Sequence, residues 1–171
     1  MIAASSTAAP ERIVALGDRK EAIYRALLAE DAAPLPGAKE LLAALHAAGY
    51  RQALGSSAPP ANLEAIIGLL GIASFLDAIV SGEQVAQGKP APDIFLAAAE
   101  RLDLPPPHCL VIEDAPAGVA AAHAGEMRCL AVRRAGQPDA PGLDAADALV
   151  DALTDASVAL VDRLLGLGAD A

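Results

Sequence analysis

The chain has 171 residues, enough for one domain with a sizeable core. With 54% hydrophobic and 20% charged residues it has the composition of a globular protein, which excludes a disordered chain. A net charge of −10 argues against nucleic acid and against an anionic membrane surface as partners, because both demand a basic face. It leaves room for an anionic substrate held by a few placed cations or a metal ion.

No apolar run is long enough to cross a bilayer, and the opening MIAASSTAAPERIV lacks the basic-then-greasy order of a secretory signal. The expected location is the cytoplasm. Cys109 and Cys129 each lie in a short apolar run and read as two buried thiols in strands.

Helical spacing of apolar residues predicts helices over Glu11–Leu16 and Asp18–Glu30, the second carrying Ile23, Leu27 and Leu28. Pro34-Leu35-Pro36-Gly37 breaks the pattern. Ala38–Ala48 follows as a helix with Leu41, Leu42 and Leu45 on one face. Arg51–Leu54 is a predicted strand that ends in Gly55-Ser56-Ser57. Asn62–Leu70 is a helix stopped by Gly71, and Asp77–Val80 a strand followed by a loop to Lys89. Pro92 suits the first turn of a helix over Asp93–Leu102. Cys109–Ile112 is a strand, Pro116–Ala124 its helix, and Arg128–Val132 the next strand. Arg134–Ala146, rich in Gly, Pro and Asp, is a predicted loop. Ala148–Val150 is a short last strand, and Ser157–Leu165 a closing helix capped by Thr154 or Asp155 and stopped by Gly166.

Strands and helices that alternate through short links imply an α/β fold, a parallel sheet covered on both sides in a Rossmann-like three-layer arrangement. The purely helical residues 1–33 read as a separate small piece, and residues 34–171 as the α/β core.

In an open parallel sheet, ligands bind beyond the carboxyl ends of the strands. Ser56, Lys89 and the pair Glu113-Asp114 fall there. Each has an ordinary explanation: Ser56 or Ser57 as a helix cap, Lys89 as a solvated loop lysine, Asp114 as a cap for the helix near Pro116. Glu113 has no such duty. Together they match the needs of a phosphate group. Ser56 supplies a hydroxyl, Ser57 and Ala58 supply backbone N–H groups at a turn into a helix, and Lys89 supplies a point charge. Glu113 and Asp114 supply hard oxygens for Mg2+.

The segments Ala53–Pro59, Gly88–Phe95 and Val111–Gly118 resemble the second, third and fourth motifs of the haloacid dehalogenase-like (HAD) superfamily, and the flanking text is closest to its β-phosphoglucomutase-like and phosphatase branch. The resemblance covers most of the chain, from about Ala9 onward. It implies a Mg2+-dependent phosphoryl-transfer enzyme acting on a small phosphorylated metabolite, such as a sugar phosphate. Ser56 would hold a phosphoryl oxygen, and Lys89 would neutralise the phosphoryl group and the nucleophile. Asp114 would ligate the metal, with Glu113 a ligand or a partner behind it. Leu16–Glu21 resembles the end of the family's helical cap. That makes residues 1–33 a cap remnant, and Arg19 and Lys20 candidate substrate contacts.

The family's first motif, a greasy strand ending Asp-x-Asp-Gly that supplies the nucleophile, has no counterpart in these 171 residues. No aspartyl-phosphate intermediate can form without it. The sequence therefore reads as an N-terminally truncated and inactive chain of such an enzyme. In the family fold that strand lies between those of the second and fourth motifs. The sheet should then show two unpaired edges, open to self-association. The alternative function is a non-catalytic phosphate-binding or strand-exchanging protein. A phosphorylatable receiver domain also combines a parallel sheet with carboxylates and a lysine, but it needs an acidic cluster at its first strand, and this chain opens with helices.

Overall fold

A computed structural model describes residues 10–31, 33–134 and 140–167. Helix α1 (Pro10–Asp31) is followed by α2 (Ala38–Ala47), strand β1 (Ala53–Ser56), α3 (Pro60–Leu70) and β2 (Ala78–Ser81). Then come α4 (Asp93–Arg101), β3 (Leu110–Glu113), α5 (Pro116–Ala124), β4 (Arg128–Val132), β5 (Ala148–Val150) and α6 (Val158–Leu164). This is the predicted α/β alternation. Residues 1–9 of the predicted cap remnant and residues 135–139 of the predicted loop lie outside the described residues.

Several boundaries differ from the prediction for physical reasons. The two predicted N-terminal helices are one, because Gly17 lowers helix propensity by only about 1 kcal/mol and no neighbour crowds it. The first strand begins later, at Ala53. The Gln52 amide donates instead to the Asp77 carboxylate, 2.8 Å away, and this bond aligns the starts of β1 and β2. Ser157 caps α6, accepting from the Leu160 amide at 3.2 Å, while Thr154 and Asp155 form a 3-10 turn. Cys129 is fully buried in β4, and burial pushes its thiol up to about 12, with the Glu113 and Asp147 charges adding. Cys109 stands just before β3 and is only half-buried.

The strands form two parallel sheets, β1–β2 and β3–β4–β5. Alternation along each strand sends successive side chains to opposite faces. Val111 packs with Phe95, Ala98 and Ala99 of α4 and Val119 and Ala122 of α5. Leu110, its neighbour, packs with Leu41 and Leu45 of α2 and Val161 of α6. Two apolar layers therefore sandwich the strands. Between β1 and β3 lies a cavity of about 450 Å3.

At the amino ends of β4 and β5, Asp147 accepts from the Cys129 amide at 2.8 Å and from Arg128 at 2.7 Å, and meets His123 at 3.1 Å. At the carboxyl ends of β4 and β5, Arg133 pairs with Asp151.

Candidate active site

Three strands and three loops converge at the carboxyl ends. Ser56 ends β1, and its hydroxyl accepts from the Ala58 amide at 3.2 Å, which bends the chain toward α3. Neither Ser56 nor Ser57 caps α3, whose N-cap is Pro59 with no side-chain hydrogen bond. The ordinary explanation for these serines is thereby removed.

The turn after Ser56 is fixed from below by a residue that sequence reasoning missed. Ser81, at the end of β2, is 2% exposed; its hydroxyl donates to the Ala58 carbonyl at 2.8 Å and accepts from the Glu83 amide. Gly82 lets the two loops touch: a Cβ there would lie 3.0 Å from the Ser57 backbone. The only signal was a Ser-Gly pair at a strand end, a common turn motif.

Lys89 and Glu113 form an ion pair with side chains 16% and 10% exposed. The ammonium also lies 4.6 Å from the centre of the Phe95 ring, a cation–π contact. The second Glu113 oxygen accepts from the amides of Asp114 at 3.0 Å and Ala115 at 3.1 Å. Glu113 thus does the backbone work that the sequence suggested for Asp114, and α5 has Ala115 as its N-cap without a side-chain bond. Both Glu113 oxygens are thus engaged by protein groups.

Asp114 pairs instead with Arg134, beyond the end of β4. The Asp114 carboxylate, first through its hydrogen bond and then through its charge, raises the Arg134 guanidinium further above its usual range. Arg134 was read as the start of a loop. Its role depends on the pairing of β3 with β4, which sequence spacing alone does not give.

Mg2+ requires near-octahedral oxygen coordination, commonly one or two carboxylates plus water and phosphate oxygens. Asp114 fits one such position, a hard oxygen donor 25% exposed at the mouth of the site. No group of three or more acidic, His or Cys side chains gathers around it among the described residues. The donor set of these residues is thus one ligand of a Mg2+ site and not a complete one.

Arg19 and Lys20 are exposed on α1, and Lys20 pairs with Glu21 at 2.8 Å. Glu21 also accepts from Asn62, which is 3% exposed and accepts from Arg25 at 2.9 Å. These bonds seat α1 on the first turn of α3, close in the chain to Ser57 and Ala58. No contact among the described residues joins Arg19 or Lys20 to Ser56, Lys89, Glu113 or Asp114.

A family model described as haloacid dehalogenase-like hydrolase matches residues 3–125. The chain is 34% identical over 155 residues to an Arabidopsis thaliana 5-amino-6-(5-phospho-D-ribitylamino)uracil phosphatase, covering 91% of this chain and 41% of that protein. It is 37% identical over 120 residues to the Escherichia coli fructose-1-phosphate phosphatase YqaB, covering 70% and 62%. The crystal structure of Rhodobacter sphaeroides CbbY in complex with phosphate superposes with a TM-score of 0.75 at 30% identity, covering 86% of this chain and 67% of that one. The chain thus spans less than two thirds of the length of either curated relative.

Proposed function

The chain belongs to the haloacid dehalogenase-like hydrolase family, and from that premise we propose that it forms the phosphate-binding part of a Mg2+-dependent phosphatase of small phosphorylated metabolites. Sugar phosphates are the favoured class. In this reading Ser56 donates its hydroxyl to a phosphoryl oxygen, and the Ser57 and Ala58 amides lie beside it on the turn held by Ser81. Lys89, oriented by Glu113, offsets the phosphoryl charge. Asp114 holds Mg2+, which when bound supplies charge neutralisation to the phosphoryl oxygens. Arg19 and Lys20 are proposed as outer contacts of the substrate, reached from α1.

The observation that carries this reading is the nearly buried Lys89–Glu113 pair, beside Asp114 in the chain and over Phe95, which packs against Gly55 of β1. Burying two charges is costly, and an apolar pair of similar volume would serve folding as well. A cation held in that position is explained by an anionic ligand. The sequence offers no carboxylate in the Asp-x-Asp-Gly setting, so these residues bind and orient phosphate without supplying the nucleophile.

The test is titration of the purified 171-residue chain with inorganic phosphate, followed by phosphorus NMR, with and without Mg2+. Saturable binding that Lys89→Met weakens at least tenfold supports the reading. Binding unchanged in Lys89→Met overturns it. Turnover of p-nitrophenyl phosphate by this chain, lost in Asp114→Ala, would overturn the claim that these residues lack a nucleophile.

The second reading, a non-catalytic phosphate-binding protein, is favoured by one observation: no group of three or more candidate metal ligands gathers around Asp114 among the described residues. It predicts the same phosphate binding and no turnover after any added segment.

A further inference from the structure

Ser81 ends β2 and stands beside Ser56 in the parallel register of β1 and β2. It is buried, and it touches both loops on which phosphate binding would depend. Its hydroxyl donates to the Ala58 carbonyl at 2.8 Å and accepts from the Glu83 amide at 3.2 Å. Its own amide donates to the Gln84 side chain at 3.0 Å. One small side chain therefore ties the Ser56–Ala58 turn to the start of the loop that carries Lys89.

The group it holds on the turn has a particular chemistry. The Ala58 carbonyl belongs to a peptide whose nitrogen is that of Pro59, and the next nitrogen is that of Pro60. Neither has an N–H. The chain just past Ser56 and Ser57 is thus rich in acceptors and poor in donors, the wrong balance beside an anion. Both carbonyls are tied down. The Pro59 carbonyl accepts from the Asn62 and Leu63 amides at 3.0 and 3.2 Å, in the first turn of α3. The Ala58 carbonyl has Ser81. Without that hydroxyl it is a bare acceptor two residues from Ser56, able to swing toward the anion that the Ser56 hydroxyl would bind.

On the other side, the loop from Ser81 to Lys89 is braced along its length. The Gln84 side chain accepts from Arg101, at the end of α4, as well as from Ser81. The Gln87 amide donates to Asp93 at 3.0 Å, and the Ala91 amide closes on the Gly88 carbonyl at 3.0 Å. A braced loop passes the position of its start on to Lys89. Gly82 brings that start against the turn, since a Cβ there would stand 3.0 Å from the Ser57 backbone.

We propose that Ser81 is a positioning residue for phosphate. It sets the spacing between the Ser56 turn and the Lys89 loop, and it keeps the Ala58 carbonyl turned away from the anion. It touches no phosphoryl oxygen itself; its contribution is preorganisation, which lowers the ordering cost of binding. This inference rests on the proposed phosphate binding and explains how its two halves grip one group.

The test is titration of the full 171-residue chain with inorganic phosphate, followed by phosphorus NMR. Ser81→Ala is expected to weaken binding at least tenfold. Gly82→Ala, which presses on the Ser57 backbone and leaves the Ser81 hydroxyl in place, should weaken it severalfold, and it carries the test if Ser81→Ala fails to fold. The double variant with Ser56→Ala separates positioning from general loosening. Residues acting through one turn are coupled, so the Ser56 and Ser81 effects should fall short of multiplying by at least threefold. Phosphate bound as tightly by the folded variants as by the parent overturns this inference alone, and so does simple multiplication of the Ser56 and Ser81 effects. Absence of saturable binding by the parent overturns the proposed phosphate binding itself, and this inference with it.

Discussion

Gly118 and Glu113 share a space that no side chain could enter: a Cβ on Gly118 would overlap the Glu113 carboxyl carbon. The first turn of α5 is therefore a wall against which the Glu113 carboxylate is pressed toward Lys89. Gly118→Ala must displace one or the other. Its expected cost is about 2–3 kcal/mol, the upper range of overpacking in a tight core, with phosphate binding weakened as well. Gly68→Ala, on the exposed face of α3 with nothing within 4 Å, should instead stabilise by about 0.5–1 kcal/mol. Urea denaturation of the two variants checks the contrast in sign.

Removing one partner of the Lys89–Glu113 pair leaves the other charge largely buried. Lys89→Met or Glu113→Gln alone should cost about 3–5 kcal/mol, and the double variant distinctly less than the sum. If the pair exists for a ligand, the double variant regains stability without regaining phosphate affinity. A double variant that binds phosphate as well as the parent would contradict the role given to Lys89. Denaturation and phosphate titration on the same four proteins decide this.

The order of elements and the three polar points were legible in the sequence because each rests on local chemistry. Apolar periodicity marks α2, α3 and α4. Proline marks the start of α5, where Pro116 is at the first helical turn. A polar residue after a greasy run marks a strand end, as at Ser56 and Glu113. What the sequence did not show depends on contacts between distant segments. Ser81 matters because it reaches Ala58, and Arg134 because β4 lies beside β3. The expected helix cap at Asp114 was not found because two adjacent carboxylates look alike until the backbone decides which one accepts its amides. The split of the sheet between β1 and β3 was anticipated only through the family resemblance, since no local pattern signals an unpaired edge.

Asp147 gives the fold a pH dependence far from the site. Burial raises its carboxyl pKa, but the Cys129 amide, then Arg128 and His123, outweigh this and lower it from 3.8 to about 2. A folded value below the unfolded one means the contribution is complete above about pH 4 and is lost as pH falls toward 2. Asp147→Asn should cost about 1–2 kcal/mol at neutral pH and flatten the acid limb between pH 4 and 2. Thermal unfolding of both proteins across that window would reveal an unchanged limb if the carboxylate were unimportant.

On the proposed function, Arg134 and Mg2+ would be alternative partners of one carboxylate, Asp114. Its guanidinium pairs with Asp114, the carboxylate best placed to take a cation. Replacing it by Gln removes a positive charge from the mouth, so Mg2+ affinity should rise, by about threefold to tenfold if the pair is worth the roughly 1 kcal/mol of a half-exposed ion pair. Inorganic phosphate affinity should fall over a similar range, since a cation has been lost where an anion docks. Asp114→Asn should abolish the Mg2+ response and leave phosphate binding without metal intact or stronger. Because Asp114 alone is an incomplete ligand set, Mg2+ binding to the parent chain should be weak, and calorimetry should register it only at high concentration. If Arg134→Gln weakens both ligands together, the arginine acts by holding the β3–β4 end in shape and not through its charge.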